Sequence, residues 1–352
     1  MKCSSCGGTM RYDVASYGLV CDFCGFTKRL HRPEEQTASG EFDFNAVVAS
    51  APSDWGTARR LVVCKSCGAS MLYDSDQMSG LCPFCGSAIV LTEGYADCGI
   101  KPSAIIPFSV TKEEVEAKFY KWNKYAFWSP EKFRKGKFLG NLTGVYIPYW
   151  TFDADAITAY SGSYGYTQDS GERTYTNWYK RSGIVESHIN DYCVCASRRF
   201  CSDRLLNSVV AFKLSDLIPY TPDALAGFAA EKYTIGMDEA WYAARIGELR
   251  NRCEYDTRRH ESADYSRYVQ MSTEYSNIRF RYILVPIWVS ACRYNGKAYK
   301  VVASGHNGNG NCNRPVSVLK IVLLILIILA LFAAPGILVF IIQAIEVIAM
   351  GG

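Results

Sequence analysis

Eight of the 15 cysteines fall into two quartets that dictate how the first quarter of this 352-residue chain can fold. Fourteen residues separate Cys3-x-x-Cys6 from Cys21-x-x-Cys24, and fourteen separate Cys64-x-x-Cys67 from Cys82-x-x-Cys85, with glycine (Gly7, Gly25, Gly68, Gly86) directly after each pair. The blocks superpose at a constant offset of 61 residues, and the match extends to Met10 and Met71, Tyr12 and Tyr73, Asp13 and Asp74, Phe23 and Phe84. That regularity marks an internal duplication. Two intervening residues let a tight turn bring both sulfurs to about 2.3 Å from one zinc ion, and glycine after the second cysteine accepts the positive φ such a turn demands. Fourteen residues suffice for a hairpin that carries the second pair opposite the first. A redox CxxC is the competing reading, but redox pairs come singly within βαβ units. The quartets Cys3, Cys6, Cys21, Cys24 and Cys64, Cys67, Cys82, Cys85 are therefore read as two structural zinc sites per chain. Four thiolates leave no open position for catalysis.

The second constraint lies at the other end. Ile321 to Ile345 runs for 25 residues without a charged side chain, broken only by Pro335-Gly336 and Gln343. As a helix it would reach roughly 37 Å, more than the roughly 30 Å of a bilayer's hydrocarbon core. Arg314 and Lys320 precede it and only Glu346 follows among charged residues, so the positive-inside bias places the N-terminal side in the cytoplasm. The N-terminal residues carry no apolar run that could act as a signal peptide. An odd cysteine count with metal-type spacings agrees with a reducing compartment. The expectation is a single-pass protein of the plasma membrane, or inner membrane, whose main body faces the cytoplasm.

Composition favours strands in that body: aromatics make up 14% of residues, with 24 tyrosines. The formal charge is +4, but two four-thiolate zinc sites carrying about −2 each would cancel it. Net charge thus gives no support to a nucleic-acid partner. The predicted class is α+β: two four-cysteine zinc ribbons, an antiparallel β-rich domain with flanking helices, and one C-terminal transmembrane helix. The boundaries are ribbon 1 at 1–30, a linker at 31–60, ribbon 2 at 61–95, the α+β domain at 96–303, a flexible juxtamembrane spacer at 304–320 and the span at 321–345. On that division loss of the second zinc would leave 105–303 folded.

Within the domain, Thr111-x-x-Glu114 has the form of a capping box, and Val115, Phe119, Trp122 and Ala126 recur along one helical face. Lys118, Lys121, Lys124, Lys132, Arg134 and Lys135 interleave with aromatics including Trp128. Such a segment is read as a solvated lysine face, with lipid headgroups and nucleic acid as alternative contacts. From Gly144 the pattern turns to period two, and Ser161–Gly165 and Asp169–Gly171 are read as turns of a meander. Asp153 and Asp155 share a face and are read as solvated rather than as a metal or acid pair. Cys193 and Cys195 are read as small buried hydrophobes; a third metal site with Cys201 would need His188. Residues 237–261 read as one long salt-bridged helix. Residues 278–303 read as strand, Asn295-Gly296 turn, strand, the first strand being buried on both faces. Pro286-x-Trp288 echoes Pro148-x-Trp150. His31, His306 and Cys312 read as linker residues.

The order of CxxCG ribbons, IIPF, GVYIPYWTFDA, IPYTPDALAGFAAEKY and ILVPIWVSACRYNGKAYKVV resembles a family of bacterial zinc-ribbon membrane proteins with transcription-factor-like (TFIIB-type) or primosomal-helicase-like names. No GxxxxGK[ST] phosphate loop supports the helicase label. Anchored members resemble partners of flotillin-like SPFH proteins and phage-shock-type membrane-stress proteins. The resemblance implies a scaffold that recruits such proteins to the membrane. GxSxG, HExxH and Rossmann motifs are likewise missing from the sequence. The function expected is a non-enzymatic, membrane-anchored adaptor, with a membrane-tethered nucleic-acid binder as the alternative.

Overall fold

The computed structural model describes residues 2–29, 41–44, 53–56, 59–74, 79–90, 99–131, 142–209, 212–294, 297–329 and 332. Ribbon 1 supplies β1 (Met10–Asp13), β2 (Gly18–Cys21) and β3 (Thr27–Arg29), and β4 (Phe42–Asp43) follows. Ribbon 2 supplies β5 (Arg59–Val63), β6 (Ser70–Asp74), β7 (Ser79–Leu81) and β8 (Ala88–Val90). Next come β9 (Ala104–Ile105), α1 (Lys112–Asn123), β10 (Thr143–Asp169) and β11 (Thr174–Cys195). Short helices α2 (Arg198–Ser202) and α3 (Arg204–Asn207) lead to β12 (Ile218–Pro219) and β13 (Ala229–Glu231). The chain continues through α4 (Met237–Ile246), α5 (Glu248–His260), β14 (Tyr265–Tyr294), β15 (Lys297–Ser304) and β16 (Gly310–Cys312). The result is a β-rich mixed α+β fold.

Its spine is the antiparallel pair β10 and β14, paired from Thr143↔Val289 to Gly165↔Tyr265 with register shifts at Asp153/Asp155 and Ser161/Ser163. Around it the main sheet runs β12-β9-β14-β10-β13-β6-β5, with β11 on β10, β4 and β15 on β14, and β16 on β15. In the spine's central half, Val145, Tyr146, Ile147, Trp150, Ile283, Leu284, Val285 and Ile287 are all buried. Apolar residues at both parities call for cover on both faces, and the sheet receives it. The two Pro-x-Trp segments lie side by side through Tyr146↔Pro286 and Pro148↔Leu284. Trp150 Nε1 donates to Ile235 O and Trp288 Nε1 to Val110 O, each at 2.9 Å, so both buried indoles are satisfied.

The outer half of β10, with β11 and the start of β14, forms a three-stranded arm. Ser161–Gly165, expected to be a turn, lies inside this continuous strand as a register shift between Ser161 and Ser163. Its glycines make room rather than a turn: a Cβ on Gly165 would sit 2.8 Å from Thr176 Cγ2. The Asp169–Gly171 turn does form, with Ser170 N donating to Arg173 O and Gly171 at φ +82°. α4 and α5 cover one face of the arm with buried Ala240, Trp241, Leu249 and Cys253, and Tyr164 Oη donates to Thr257 Oγ1 at 2.9 Å. They are two helices rather than one, because Gly247 takes φ −100°, ψ −113°, outside the helical region.

Two boundaries move. The stretch expected to be a flexible spacer folds back as part of the sheet: Ser304 N donates to Asn309 O, β16 pairs with β15 from Val301↔Cys312, and His306 Nε2 lies 3.0 Å from Asp216. Its Gly and Asn residues serve a tight turn, with Gly308 at φ +71°, instead of a linker. Nor is ribbon 2 separable from the domain. β6 pairs with β13 through Ala230↔Leu72 and Glu231↔Met71, so β5 and β6 of the ribbon are strands of the main sheet. The Asn295-Gly296 turn lies outside the described residues, but Tyr294↔Lys297 on either side gives the two-residue hairpin register expected. His31 lies outside them as well.

Candidate metal centres and the surfaces around them

Each quartet converges on one point. In ribbon 1, Cys3 Sγ lies 3.7 Å from Cys24 Sγ and Cys6 Sγ lies 3.5 Å from Cys21 Sγ. In ribbon 2, the Cys64–Cys85 and Cys67–Cys82 separations are 3.6 and 3.5 Å. Within each group all four sulfurs fall within 4.8 Å of one another. A tetrahedral centre with metal–sulfur bonds of about 2.3 Å has edges of about 3.8 Å. Both groups fit, so each can hold a metal ion.

The turns that aim these sulfurs follow from the sequence. Gly7, Gly25, Gly68 and Gly86 adopt φ of +73°, +70°, +72° and +69°. Each turn points backbone amides at a sulfur, as Ser5 N does toward Cys3 Sγ at 3.4 Å. Such amides stabilise thiolates. The N–H groups of Cys24 and Phe23 hold the Cys21 thiol down at about 7. Burial pushes Cys85 up, but Ser87, through its side chain and backbone, and neighbouring thiols hold it at about 6. Cys6 receives the Gly8 amide, yet the crowding thiols of Cys24 and Cys21 drive it up to about 12. Thiols this close cannot all ionise alone; a divalent cation at their centre removes that conflict.

The duplicated knuckles differ in what covers them. Phe84 is 1% exposed; it meets the Phe200 ring edge-on at 5.1 Å, and the Arg199 guanidinium lies 4.8 Å from its centre. Arg199 Nη1 also donates to Cys67 O at 2.9 Å. Phe23, its counterpart, is 80% exposed, and Cys6 and Cys24 are exposed beside it. Sequence pattern alone paired these phenylalanines as equivalents and missed their different fates.

At the opposite end, α1 forms with the expected capping box, Thr111 N donating to Glu114 and Glu114 N to Thr111. Val115 and Phe119 pack on β15 and its neighbours and Ala126 is buried, whereas Trp122 is exposed. Lys118 is tied to Asn307 O at 2.9 Å. Lys121, Lys124 and Trp128 are exposed, with Tyr125 and Phe127 beside them. Lys132, Arg134 and Lys135 lie outside the described residues. This aromatic group meets the start of a helix described from 318 to 329. Ser317 N donates to Trp128 O at 2.8 Å, Lys320 Nζ bonds to Phe127 O and Ser129 O, and the Arg314 guanidinium lies 3.8 Å from the Trp122 ring centre. Residues 321–329 are all exposed. Most of the apolar run at 321–345 lies outside the described residues, and no described helix is long and apolar enough to cross a membrane.

Other candidates are placed elsewhere. Asp155 accepts from Asn277 and pairs with His188, each at 2.7 Å, which holds its carboxyl below the usual range. Asp153 is pushed up, chiefly by burial; it accepts from Asp191 N and lies near Arg281, which also bonds Asp191. The two aspartates hold β10's register shifts against β11 and β14 together. Cys195 is buried and Cys193 half-buried on one face. Among the described residues only the two cysteine quartets qualify as metal groups.

No family model matches the chain, and no solved structure matches it. Among curated proteins, it is similar to one of Bacillus subtilis (strain 168) described as "Uncharacterized protein YdjG", 24% identical over 334 residues, covering 90% of each chain.

Proposed function

We propose that the chain is a membrane-anchored adaptor: the apolar C-terminal segment holds it at the bilayer, two structural zinc ions rigidify the ribbons, and the body presents docking surfaces to protein partners. The observation that carries this reading is the helix base. A helix apolar on every side, with no polar face to give to water, has its first turn clamped to a collar of exposed Trp122, Tyr125, Phe127 and Trp128. Aromatic side chains of this kind settle at the headgroup level, and exposed Lys121 and Lys124 would face anionic lipid. Arg314 and Lys320 on the body's side favour a cytoplasmic face. Zinc is the cation that four closed thiolates at tetrahedral spacing suit best, and a closed centre supports structure rather than turnover.

The resemblance to zinc-ribbon partners of SPFH and phage-shock-type proteins supplies the partner class. The test is an affinity capture of the full-length chain from mildly solubilised, nuclease-treated membranes, with retained proteins identified by mass spectrometry. Stoichiometric recovery of an SPFH or membrane-stress protein is expected. A chain found wholly in the soluble fraction would overturn the anchoring. Nucleic acid retained without protein, and lost on changing Lys121 and Lys124 to Glu, would replace the adaptor with a tethered nucleic-acid binder.

A further inference from the structure

The duplication lets ribbon 2 report what a knuckle of this design binds. There the occupant is the chain's own α2, whose N-cap Ser197 accepts from Phe200 N and so presents Arg199 and Phe200 from one rigid turn. Phe200 packs edge-on against Phe84, while Arg199 spans the Phe84 ring and the carbonyl of Cys67. Ribbon 1 offers the same elements in the same order. Phe23 stands where Phe84 does, and the Cys6 carbonyl stands where the Cys67 carbonyl does. This knuckle is open, with Phe23, Cys6 and Cys24 all exposed and Phe26 adding apolar surface where ribbon 2 has Ser87.

Ribbon 1 has Asp22 where ribbon 2 has Pro83, and Ser4 where ribbon 2 has Lys65. A loaded four-thiolate centre is itself anionic. Asp22 is already engaged by Arg11 at 2.7 Å, so the charge an incoming arginine would meet is that of the metal centre itself, as at the closed knuckle, which already holds Arg199. Cation–π contact and a charge-assisted bond to a carbonyl are what an arginine gains there.

We infer that the ribbon 1 knuckle around Phe23 is a docking site for a partner helix whose first turn carries an adjacent arginine and aromatic residue, the chemistry with which Arg199 and Phe200 close ribbon 2. The inference deepens the adaptor reading and rests on it, since it names the chemistry of the partner. The proposed occupant is a segment of another protein: α2 is committed to Phe84, and Phe23 is left exposed in the folded chain.

The probe is a labelled peptide copying 196–208 with Cys201→Ser, titrated into the zinc-loaded full-length chain in nanodiscs and read by fluorescence anisotropy. Saturable binding is expected, weakened about tenfold or more by Phe23→Ala on the chain or Arg199→Glu on the peptide. Phe23→Ala should retain both zinc ions, which a metal assay verifies. Absence of binding, or binding indifferent to Phe23→Ala, overturns the inference. So does a Phe23-dependent association with anionic vesicles or with a second copy of the chain in place of the peptide. Undiminished capture of the native partner by Phe23→Ala would sink the knuckle and leave the adaptor standing. Peptide binding at Phe23 with no partner captured would do the reverse.

Discussion

Ribbon 1 closes on itself, β1 pairing with β2 and β2 with β3, whereas in ribbon 2 the equivalent first strand, β6, pairs with β5 and β13. The strands β7 and β8 that follow it form a small sheet of their own. Ligand spacing is the same in both, so the difference comes from the neighbours. The first cysteine of ribbon 2 is preceded by the apolar run Leu61-Val62-Val63 in β5, which gives β6 a strand partner, and Ala229-Ala230-Glu231 supplies the other side. Ribbon 1 instead docks through Tyr12, Met10 and Leu19, buried with Phe108 and Phe228 in the central cluster, and through Tyr12 N donating to Ala226 O. One motif has been used twice: once as an appended module, once as part of the sheet.

The largest expected difference follows from that. A structural zinc site contributes on the order of 10 kcal/mol to the fold it closes, comparable with the whole stability of a domain, about 5–15 kcal/mol. Cys3→Ser and Cys64→Ser should each lower the metal content from two ions to one. Only Cys64→Ser should strip amide protection from β13 and destabilise the sheet cooperatively, because β6 is its neighbour. Hydrogen exchange on Ala229–Glu231 distinguishes them, and equal protection in the two variants would break the comparison.

Next come the side chains that close ribbon 2. Phe84→Ala leaves a cavity against Phe200 and should cost about 3–5 kcal/mol. Arg199→Ala removes a cation–π contact and one hydrogen bond to Cys67 O, together about 1–2 kcal/mol. Chemical denaturation of each variant reads both, and a Phe84→Ala cost below that of Arg199→Ala would mean the guanidinium, not the ring, closes the knuckle.

A smaller effect is pH-dependent. Burial pushes the Asp203 carboxyl up, but Lys300 Nζ at 2.9 Å and the amides of Leu205 and Leu206 bring it below its ordinary value. A carboxyl depressed in the folded state contributes stability above its unfolded value of about 3.9, lost as pH falls through the lower folded value. Asp203 also caps α3, so this pair ties the segment covering ribbon 2 to β15. Asp203→Asn should cost roughly 1 kcal/mol or less at neutral pH, and the gap to the parent chain should narrow below about pH 4. A gap that stays constant with pH would assign the loss to the cap alone.

What the sequence made legible were features governed by local chemistry. The metal-site turns, the Thr111 capping box, the Asn295-Gly296 register and the doubly buried β14 each depend on residues close in the chain. What it hid depended on distant partners. Ser161–Gly165 looks like a turn until Trp178 and Thr176 across the strand need the space. Ser304–Pro315 looks like a linker until Lys118 and β15 hold it. The fates of Phe23 and Phe84 are set by Arg199 and Phe200, more than a hundred residues away from either. A faint local signal did exist: Gly8 lies under the Phe23 ring, a Cβ there falling 2.6 Å from its Cδ2, while ribbon 2 has Ala69 at the same place.

The smallest expected effect is the most informative. If ribbon 1's knuckle only completes a module, Phe23 should matter to folding no more than any exposed side chain, and Phe23→Ala should change stability by about 0.5 kcal/mol or less. Phe84→Ala, its equivalent by duplication, should cost several times more. An exposed phenylalanine kept beside an anionic metal centre does little for the folded chain alone, because its ring gains its burial only when something arrives. A near-zero stability change together with a loss of peptide binding would separate the two uses of one motif, one ring holding the fold and the other waiting for a partner. A stability loss for Phe23→Ala near that of Phe84→Ala would mean that ribbon 1 is closed in solution and that the two knuckles are alike.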